Sequence, residues 1–439
     1  MNQSPQLPIA IIGAGPVGLA AAAHLISYGQ PFVLFEAGEA VGANIKTWEH
    51  IRLFSPWRYN MDKKSVELLK RQGWQEPDLE ALPTGRELVD DYLIPLSETV
   101  EIKPHLELNA KVLSISKKDR DKMKTAGRDE VPFVLYVERD GEVSKVEAQA
   151  VIDATGTWGN PNPANSDGVW LSGERHANER SFYGMPDVTG KHRERYSGKN
   201  VAVVGSGHSA INALLELATL KEAYPETGIV WIIRKKSVSE AYGGEEKDAL
   251  AARGELGSRI HRLVDSGIVQ VYEGFKIEQV MSAENGTLII KNATTEIKGV
   301  DEMIVNTGNR PDRTIFSELR TAIDEATESV KALAPLIDPN VHSCGTVRPH
   351  GEKELSQPEK NFYIVGAKSY GRAPTFLMAT GYEQVRSVVA HISQDEEAAS
   401  KVELELPETG VCSVTFSKPA TTSSSCSAST SCSASTSCS

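Results

Sequence analysis

A glycine-rich turn near the N-terminus, Gly13-Ala14-Gly15-Pro16-Val17-Gly18, is the first segment whose residue types could do chemistry. Gly13 would let the chain turn sharply, because a Cβ would obstruct the bend. Gly15 would let the backbone approach a pyrophosphate closely, and Gly18 would let the following helix pack tightly against the preceding strand. The unpaired N–H groups and the positive dipole end of that helix favour phosphate. The turn therefore predicts a dinucleotide phosphate site.

The segments on both sides of this turn supply the elements that position it. The apolar run Ile9–Ile12 predicts a buried strand, and an Ala-rich helix follows the turn and should end near Gly29. A second apolar run, Phe32–Phe35, predicts another strand that ends on Glu36. Glu36 follows the glycines by about 20 residues, where its carboxylate can accept hydrogen bonds from a ribose diol. The alternative interpretation is an ordinary glycine turn of an α/β domain, which would not require the preceding strand, the following helix and the acid together.

A second unit of the same order begins near residue 200. A predicted strand over 200–204 leads into the turn Gly205-Ser206-Gly207-His208-Ser209-Ala210 and a predicted helix over 209–220. The next predicted strand, 228–233, ends on Arg234, Lys235 and Lys236 instead of on an acid. An acid suits a free ribose 2′-hydroxyl, whereas a basic cluster suits a 2′-phosphate. The first unit therefore predicts a site for the adenosine half of FAD or NAD, and the second a site for NADP. A solvated strand end is the alternative explanation of the basic cluster.

The two units also end in the same way, because the last predicted strand of each is followed by a Thr-Gly pair. These pairs are Thr155-Gly156 and Thr307-Gly308. A late strand over 362–365, a turn at Gly366 and a helix over 375–391 then return to the first pattern. This repeat predicts an α/β fold with two Rossmann-like, three-layer dinucleotide-binding domains and two ligand sites. The remaining predicted elements are a helix over 84–97 and strands over 110–116, 131–138, 143–152, 269–273, 287–292 and 303–305, with a charged loop over 117–130.

An aromatic and basic segment, residues 41–60, shows neither helical nor strand periodicity. It contains Trp48 and Arg52 together with His50, Arg58 and a second tryptophan. Aromatic and basic side chains of this kind suit stacking on a ring system and holding phosphate. They suit an aromatic packing cluster under a loop equally well, so the residue types alone leave the two interpretations open.

Composition excludes several classes of partner. The chain has 439 residues, 40% of them apolar, and a formal net charge of -12. This charge argues against nucleic acid, because phosphate contacts need clustered Lys and Arg. No apolar run is long enough to span a membrane, and the first residues do not form a cleavable signal. We therefore expect a globular, cytoplasmic protein.

The cysteines are confined to the last quarter of the chain, at Cys344, Cys412, Cys426, Cys432 and Cys438. Their positions exclude a disulfide framework for the first 343 residues and exclude a CxxC redox pair. Residues 396–439 become acidic and then rich in Ser, Thr and Ala, with CSASTS repeated at the end. Such a sequence cannot bury a core and predicts a disordered tail without a folded metal site.

Taken together, the motifs resemble those of flavoproteins with two dinucleotide-binding domains, and within them the class B type NADPH-dependent flavin-containing monooxygenases. The resemblance covers residues 8 to 392. It rests on GAGPVG with its following acid, DATG at 153–156, GSGHSA at 205–210 and NTGNRPD at 306–312. The segment WEHIRLFSPWRYN is similar to a WxxLRLFTPxxY stretch that lies along FAD in related bacterial flavoproteins.

This resemblance implies FAD and NADP as cofactors. It implies that Trp48 and Arg52 lie along FAD and that Thr155, Gly156 and Gly366 border it. It also implies that the NADPH domain is inserted in a split FAD domain. We therefore expect FAD-binding residues 1–184, NAD(P)H-binding residues 185–305, a second FAD-binding part at 306–395 and a tail at 396–439.

The activity implied by the resemblance is hydride transfer from NADPH to FAD, followed by reaction with O₂ and oxygenation of a small molecule. A monooxygenase fingerprint, FxGxxxHxxxY, is not intact at residues 171–176. One alternative is therefore a reductase of thiols, metals or metalloids, in which the tail cysteines gather soft ions as thiolates. A second alternative is a flavin-bearing redox sensor or metal-binding protein without catalysis.

No side chain in the sequence can be assigned a catalytic role from its pattern. His176, His192 and His208 are candidates, although a single histidine is more often a structural hydrogen-bonding group. His342 and Cys344 with His350 could be taken for a metal cluster, but their irregular spacing predicts a loop instead. The substrate cannot be inferred from these residues.

Overall fold

The computed structural model describes residues 6–247, 251–340, 347 and 350–404. Two five-stranded parallel sheets dominate these residues, and each is accompanied by a three-stranded antiparallel sheet. This arrangement confirms the predicted α/β fold with two Rossmann-like domains. Among the described residues, no helix combines the length and apolar character needed to cross a bilayer.

The strands of the described residues are, in chain order, β1 (Ile9–Ile12), β2 (Phe32–Phe35), β3 (Leu106–Glu107), β4 (Lys111–Lys117), β5 (Phe133–Arg139), β6 (Glu142–Ala148), β7 (Ala150–Asp153), β8 (Ser181–Tyr183), β9 (Asn200–Val204), β10 (Gly228–Ile232), β11 (Gln270–Tyr272), β12 (Gln279–Ser282), β13 (Leu288–Lys291), β14 (Glu296–Val300), β15 (Glu302–Val305) and β16 (Phe362–Ile364).

The α-helices of the same residues are α1 (Pro16–Ser27), α2 (Ala43–Lys46), α3 (Lys63–Arg71), α4 (Gly85–Glu87), α5 (Ile94–Ser97), α6 (Ser172–His176), α7 (Arg193–Tyr196), α8 (His208–Ala223), α9 (Ala251–Asp265), α10 (Ala334–Ile337), α11 (Glu352–Leu355), α12 (Met378–Ile392) and α13 (Glu396–Ser400). A π-helical segment, Leu88–Leu93, joins α4 to α5, and short 3-10 helices include Val238–Ala241 and Gly366–Tyr370.

The first parallel sheet has the strand order β16-β7-β1-β2-β3. Every residue of β1 and β7 is buried, as expected for central parallel strands covered on both faces. Helix α1 packs against the sheet through its buried alanines, residues 20–23, which permit a close approach. The C-terminal strand β16 pairs with β7, so the chain returns to this sheet after forming the second domain. The second domain is therefore an insertion.

The second parallel sheet has the strand order β11-β10-β9-β15-β8. Its core is built around Trp231, which is fully buried and donates its indole N–H to the Gly205 carbonyl at 2.7 Å. Strand β8 pairs with β15, so this sheet already includes residues 181–183, just before the expected limit at 185.

The predicted strand over 143–152 is wrong as a single element. The chain forms β6 and β7 there, and the two strands belong to different sheets. Apolar residues occur in both strands, and their pattern does not indicate where the chain passes from one sheet to the other. The reason is that the strands with which β6 and β7 pair are not determined by the local sequence. The predicted helix over 375–391 begins at Met378, and the elements α3, α9, β12 and β14 were not predicted.

The C-terminal part is described as far as residue 404. Residues at its start are held on α12, because Arg386 donates to the Ala398 carbonyl and Ser387 donates to the Ala399 carbonyl, each at 2.7 Å. The remainder of the predicted tail and all five cysteines lie outside the described residues.

The loop over 117–130 carries a buried clamp that its charged sequence does not reveal. Arg128 and Glu359 are each only 2% exposed and form an ion pair at 2.7 Å. The remaining Arg128 donors reach the carbonyls of Arg120, Asp121 and Glu318. All five guanidinium N–H groups therefore have acceptors, and the clamp ties the loop to the segment that precedes β16.

We predict that Arg128→Ala lowers the free energy of unfolding by about 3–5 kcal/mol, because it leaves the Glu359 carboxylate buried without a cation. Urea denaturation of the cofactor-free protein measures this effect. The matched control is Lys360→Ala, which breaks the exposed neighbouring pair between Lys360 and Asp129. The control should leave the unfolding midpoint unchanged. Equal shifts of the midpoint in both variants would contradict a stabilising role of the buried Arg128–Glu359 pair.

Candidate functional site

The first glycine turn is closed towards the protein and open towards solvent. Gly13 has φ of +96°, and a Cβ there would lie 2.9 Å from the Ala154 carbonyl oxygen. A Cβ on Gly18 would collide with the Gly13 carbonyl, whereas a Cβ on Gly15 would meet no protein atom within 4 Å. Side chains at Gly13 and Gly18 would therefore meet the protein backbone, whereas the open side at Gly15 would fit a pyrophosphate, and that role of Gly15 stays a prediction.

Glu36 lies beside this turn at the end of β2. One carboxylate oxygen accepts a hydrogen bond from the Ala14 N–H and the other accepts one from the Gly38 N–H, each at 2.8 Å. These bonds orient the carboxylate next to the phosphate turn. Each carboxylate oxygen has further acceptor capacity, so the residue fits a ribose diol.

The end of β7 forms the next part of this edge, through a fully buried ion pair between Asp153 and Lys368. The Lys368 ammonium donates to Asp153 at 2.7 Å and to the Thr155 hydroxyl at 2.9 Å. Thr155 in turn donates to Asp153 at 2.7 Å. This network fixes the Thr155-Gly156 turn against the segment after β16. Sequence reasoning missed Lys368, because nothing in its local pattern marks it as buried.

Gly366 lies on the same edge, where a Cβ would be 3.3 Å from a methyl group of Val17 at the start of α1. Its N–H donates to the side-chain carbonyl of Gln384 at 2.7 Å. The carboxyl ends of β1, β2, β7 and β16 thus bring the predicted FAD residues Gly13, Glu36, Thr155 and Gly366 to one edge of the sheet, as expected for parallel strands.

The second glycine turn repeats this geometry. Gly205 has φ of +129°, and a Cβ there would collide with the Asn306 carbonyl. A Cβ on Gly207 would meet no protein atom within 4 Å. Ala210, at the third position of the motif, is fully buried in α8 and lies in the hydrophobic core of this domain. This turn also has an open position that fits a pyrophosphate.

The basic cluster follows β10 at the same edge of the second sheet. Arg234 is exposed. The Lys235 ammonium donates to the Glu240 carbonyl in the Val238–Ala241 3-10 helix. Both residues lie at the carboxyl end of the strand next to the glycine turn, where a ribose 2′-substituent would be expected.

Direct contacts join the two edges. The Asn162 N–H donates to the Gly308 carbonyl at 2.9 Å, and the Thr307 hydroxyl donates to the Asn162 carbonyl at 3.0 Å. From the first unit, Phe54 packs its ring 5.3 Å from that of His208, the first residue of α8. The loop after the first Thr-Gly pair and the aromatic segment of the first unit therefore both contact the second unit.

Several buried polar atoms at these edges have no hydrogen-bond partner among the described residues. They include the side-chain carbonyl oxygens of Asn162 and Asn306 and the hydroxyl of Thr375, which precedes α12. Buried polar atoms of this kind carry a free-energy cost unless a ligand or water satisfies them. Their positions in loops that follow strands fit polar groups of bound nucleotides.

The aromatic segment is partly packed and partly exposed. The Trp48 ring lies against Gly85 and 6.2 Å from the ring of Trp158. Arg52 is exposed, donates to the Leu82 carbonyl and pairs with Glu87 at 3.8 Å. These contacts are internal to the protein, so a cofactor role for Trp48 and Arg52 stays a prediction.

The histidine candidates are dispersed. His176 is exposed at the end of α6, whereas the Nδ1 of His192 accepts a hydrogen bond from the Asp187 N–H at 3.1 Å. Burial lowers the pKa of His192 below its usual value. His208 lies at the second glycine turn, and His350 is buried beside Gln384. His342 and Cys344 lie outside the described residues.

Residues 10–343 match the family described as pyridine nucleotide-disulphide oxidoreductase. The chain belongs to this family. It is 29% identical over 211 residues to the probable indole-3-pyruvate monooxygenase YUCCA9 of Arabidopsis thaliana, and the match covers 47% of this chain and 44% of that protein. The match to YUCCA8 of the same plant, at 28% identity over 225 residues, has the same coverage. The chain thus spans less than half the length of these curated relatives.

Two solved structures share the fold over nearly the whole chain. The bacillithiol disulfide reductase Bdr of Bacillus cereus aligns with a TM-score of 0.63 at 18% identity, over 89% of this chain and 99% of that one. The FAD-bound cadaverine monooxygenase DfoA of Erwinia amylovora aligns with a TM-score of 0.63 at 14% identity, over 92% and 99%. The resemblance to flavoproteins with two dinucleotide-binding domains is confirmed.

We predict that Gly18→Ala and Gly15→Ala fail in different ways. In Gly18→Ala the new methyl group would collide with the Gly13 carbonyl, so the unfolding midpoint of the cofactor-free protein should fall. Gly15→Ala should keep that midpoint and lose flavin, because its methyl group would occupy only the open side of the turn. Thermal unfolding and flavin absorbance after purification measure the two effects. Retention of flavin by a folded Gly15→Ala protein would contradict the assigned pyrophosphate position.

Proposed function

We propose that this protein is an FAD-dependent, NADPH-using oxidoreductase of the monooxygenase type that acts on a small molecule with O₂. The observation that carries the proposal is the pair of glycine turns. Each lies at the carboxyl edge of its own parallel sheet, and the contacts of Asn162 with residues 307 and 308 join the two edges. Family membership and the monooxygenase relatives support the same conclusion.

Each cofactor is proposed to bind at one edge. FAD would be held by residues of the first sheet and the loops around it, namely Gly13, Gly15, Gly18, Glu36, Trp48, Arg52, Thr155, Gly156 and Gly366. NADP would be held by residues of the second sheet, namely Gly205, Gly207, Ala210, Arg234 and Lys235. The domain limits at 184, 305 and 395 are part of the proposal, as is a cytoplasmic location.

Bound FAD would accept hydride from NADPH and react with O₂. The chain's own residues would position the two cofactors. The open glycine positions and helix N-termini hold the phosphates, Glu36 orients a ribose, and the Lys368–Asp153 pair fixes the turn at Thr155. The aromatic packing of Phe54 on His208 brings the two edges together. No side chain is assigned as a catalytic residue.

A reductase is the second candidate function, and the fold shared with the bacillithiol disulfide reductase favours it. In this chain the cysteines nearest the end, Cys426, Cys432 and Cys438, are six residues apart and belong to the part outside the described residues. A reductase would therefore need electrons to pass to an added disulfide or metal ion, or to these tail thiols.

The deciding experiment reduces the flavin-loaded protein with NADPH without oxygen and then mixes it rapidly with O₂. Under the oxygenase proposal, we expect a transient absorbance band distinct from those of reduced and oxidised flavin. Direct return to oxidised flavin would favour a reductase or oxidase. If NADPH does not bleach the flavin, both the oxygenase and the reductase proposals are wrong. The result would then favour a flavin-bearing redox sensor.

Deletion of residues 418–439 separates the two enzymes further. The oxygenase should keep its NADPH consumption with O₂, because none of its proposed cofactor-binding residues lies in the deleted segment. A reductase that uses the tail thiols should lose its thiol- or metal-dependent turnover. An unchanged reductase activity in the truncated protein would exclude the tail as the electron carrier.

We predict that Arg234→Ser raises KM for NADPH about 10- to 100-fold and leaves KM for NADH unchanged. A charge-assisted hydrogen bond to the 2′-phosphate has this magnitude, about 1.5–3 kcal/mol, and NADH lacks that phosphate. The matched control is Lys199→Ser, which removes an exposed charge at the opposite end of the sheet, immediately before β9. Equal effects on both nicotinamide donors would show that the basic cluster is only a solvated strand end.

A further inference from the structure

A cluster of metal-ligating side chains lies where the first unit meets the second, apart from both glycine turns. His50 comes from the loop after α2, Asp187 from the loop between β8 and α7, and Glu216 from the middle of α8. One ligand atom from each residue lies within 4.8 Å of the other two. The three residues are far apart in sequence, so only the folded chain brings them together.

His50 presents an unused nitrogen to this cluster. Its Nε2 atom is buried and has no hydrogen-bond partner among the described residues, although it lies 3.4 Å from a carboxylate oxygen of Glu216. The Pro186 carbonyl lies near the imidazole. A neutral ring with its proton on Nδ1 would present the lone pair of Nε2 to the two carboxylates.

Backbone donors hold both carboxylates in place. One Glu216 oxygen accepts from the Val188 N–H at 3.1 Å, which leaves the other facing His50. Asp187 accepts from the N–H groups of Gly190 and Lys191 at 2.9 and 3.0 Å. Among the described residues, neither carboxylate forms an ion pair with a lysine or arginine. Burial raises the pKa of Glu216 to about 7, because a desolvated carboxylate without a cation favours its neutral form.

We propose that His50, Asp187 and Glu216 bind a divalent cation of the zinc class. Two ligands at 2.0–2.2 Å from a tetrahedral ion lie ~3.4 Å apart, which is the separation of His50 Nε2 from Glu216. An imidazole nitrogen with two carboxylates suits Zn²⁺ and disfavours Mg²⁺ and Ca²⁺, which prefer oxygen ligands. The ion would link the segment after α2 to the second domain.

The surroundings leave room for a fourth ligand. His50 and Glu216 also line a cleft of about 320 Å³ between residues 50–54 and the helices α8 and α9. Three protein ligands with an open position are typical of zinc sites that bind water or a small molecule, whereas closed structural sites have four protein ligands. The proposed site therefore borders the cleft through His50 and Glu216, and a fourth ligand could approach the ion from that side.

The test measures metal binding to the full-length, flavin-loaded protein after treatment with a chelator. Zn²⁺ affinity is determined by competition, and Co²⁺ is used as a spectroscopic probe because its absorbance distinguishes thiolate from nitrogen and oxygen ligands. The cysteines at the C-terminus can bind both metals, so the assignment depends on the loss of one non-thiolate site in a variant.

Glu216→Gln is the main variant, since it keeps the size of the side chain and the acceptor for the Val188 N–H. We expect it to weaken the non-thiolate site about 100-fold or more, because loss of even an outer partner of a metal ligand costs about 10- to 100-fold. His50→Ala should have the same effect. The matched controls are Glu222→Gln, an exposed residue on the same helix, and His105→Ala, an exposed histidine; both should bind like the unmodified protein.

Circular dichroism and flavin content establish that each variant is folded. If His50→Ala does not fold, the metal affinity of Glu216→Gln alone tests the proposed site. Superimposable titrations of Glu216→Gln and the unmodified protein would overturn the proposal, as would Co²⁺ spectra with thiolate bands only. The readout is metal binding and not turnover, so its outcome is independent of the proposed oxidoreductase activity.

Discussion

Close approach of backbone to backbone at two glycine turns is the constraint on which this structure depends. At the first turn, a side chain on Gly18 would strike the Gly13 carbonyl, and at the second a side chain on Gly205 would strike the Asn306 carbonyl. These contacts allow α1 and α8 to begin directly against their sheets. The N–H groups at the start of each helix then point along the carboxyl edge, where parallel strands place their following loops.

Buried ion pairs extend this arrangement to the segments that arrive late in the chain. Lys368 and Asp153 join the turn after β16 to the end of β7, and Arg128 and Glu359 join the 117–130 loop to the segment before β16. Each pair is satisfied by additional hydrogen bonds, which offset the desolvation of the charges. These ion pairs therefore join the two parts of the first domain, which are separated in sequence by the inserted second domain.

The contacts that relate the two proposed cofactor sites lie at the junction between the two domains. The contacts of Asn162 with residues 307 and 308 and the packing of Phe54 on His208 set the relation of the proposed FAD and NADP sites. The cluster of His50, Asp187 and Glu216 lies at the same junction, on the side of α8 that faces residues 50–54. A cation bound there would link residues of both domains.

The sequence by itself determined the two glycine turns, their flanking strands and helices, and the acid that follows β2. These features depend on contacts between residues that are close in the chain, so residue type and spacing are sufficient to predict them. The tertiary structure alone decided that residues 143–152 divide between two sheets, that Lys368 is buried against Asp153, and that His50, Asp187 and Glu216 converge. Each of these results depends on pairing between segments far apart in sequence, and local periodicity contains no information about such partners.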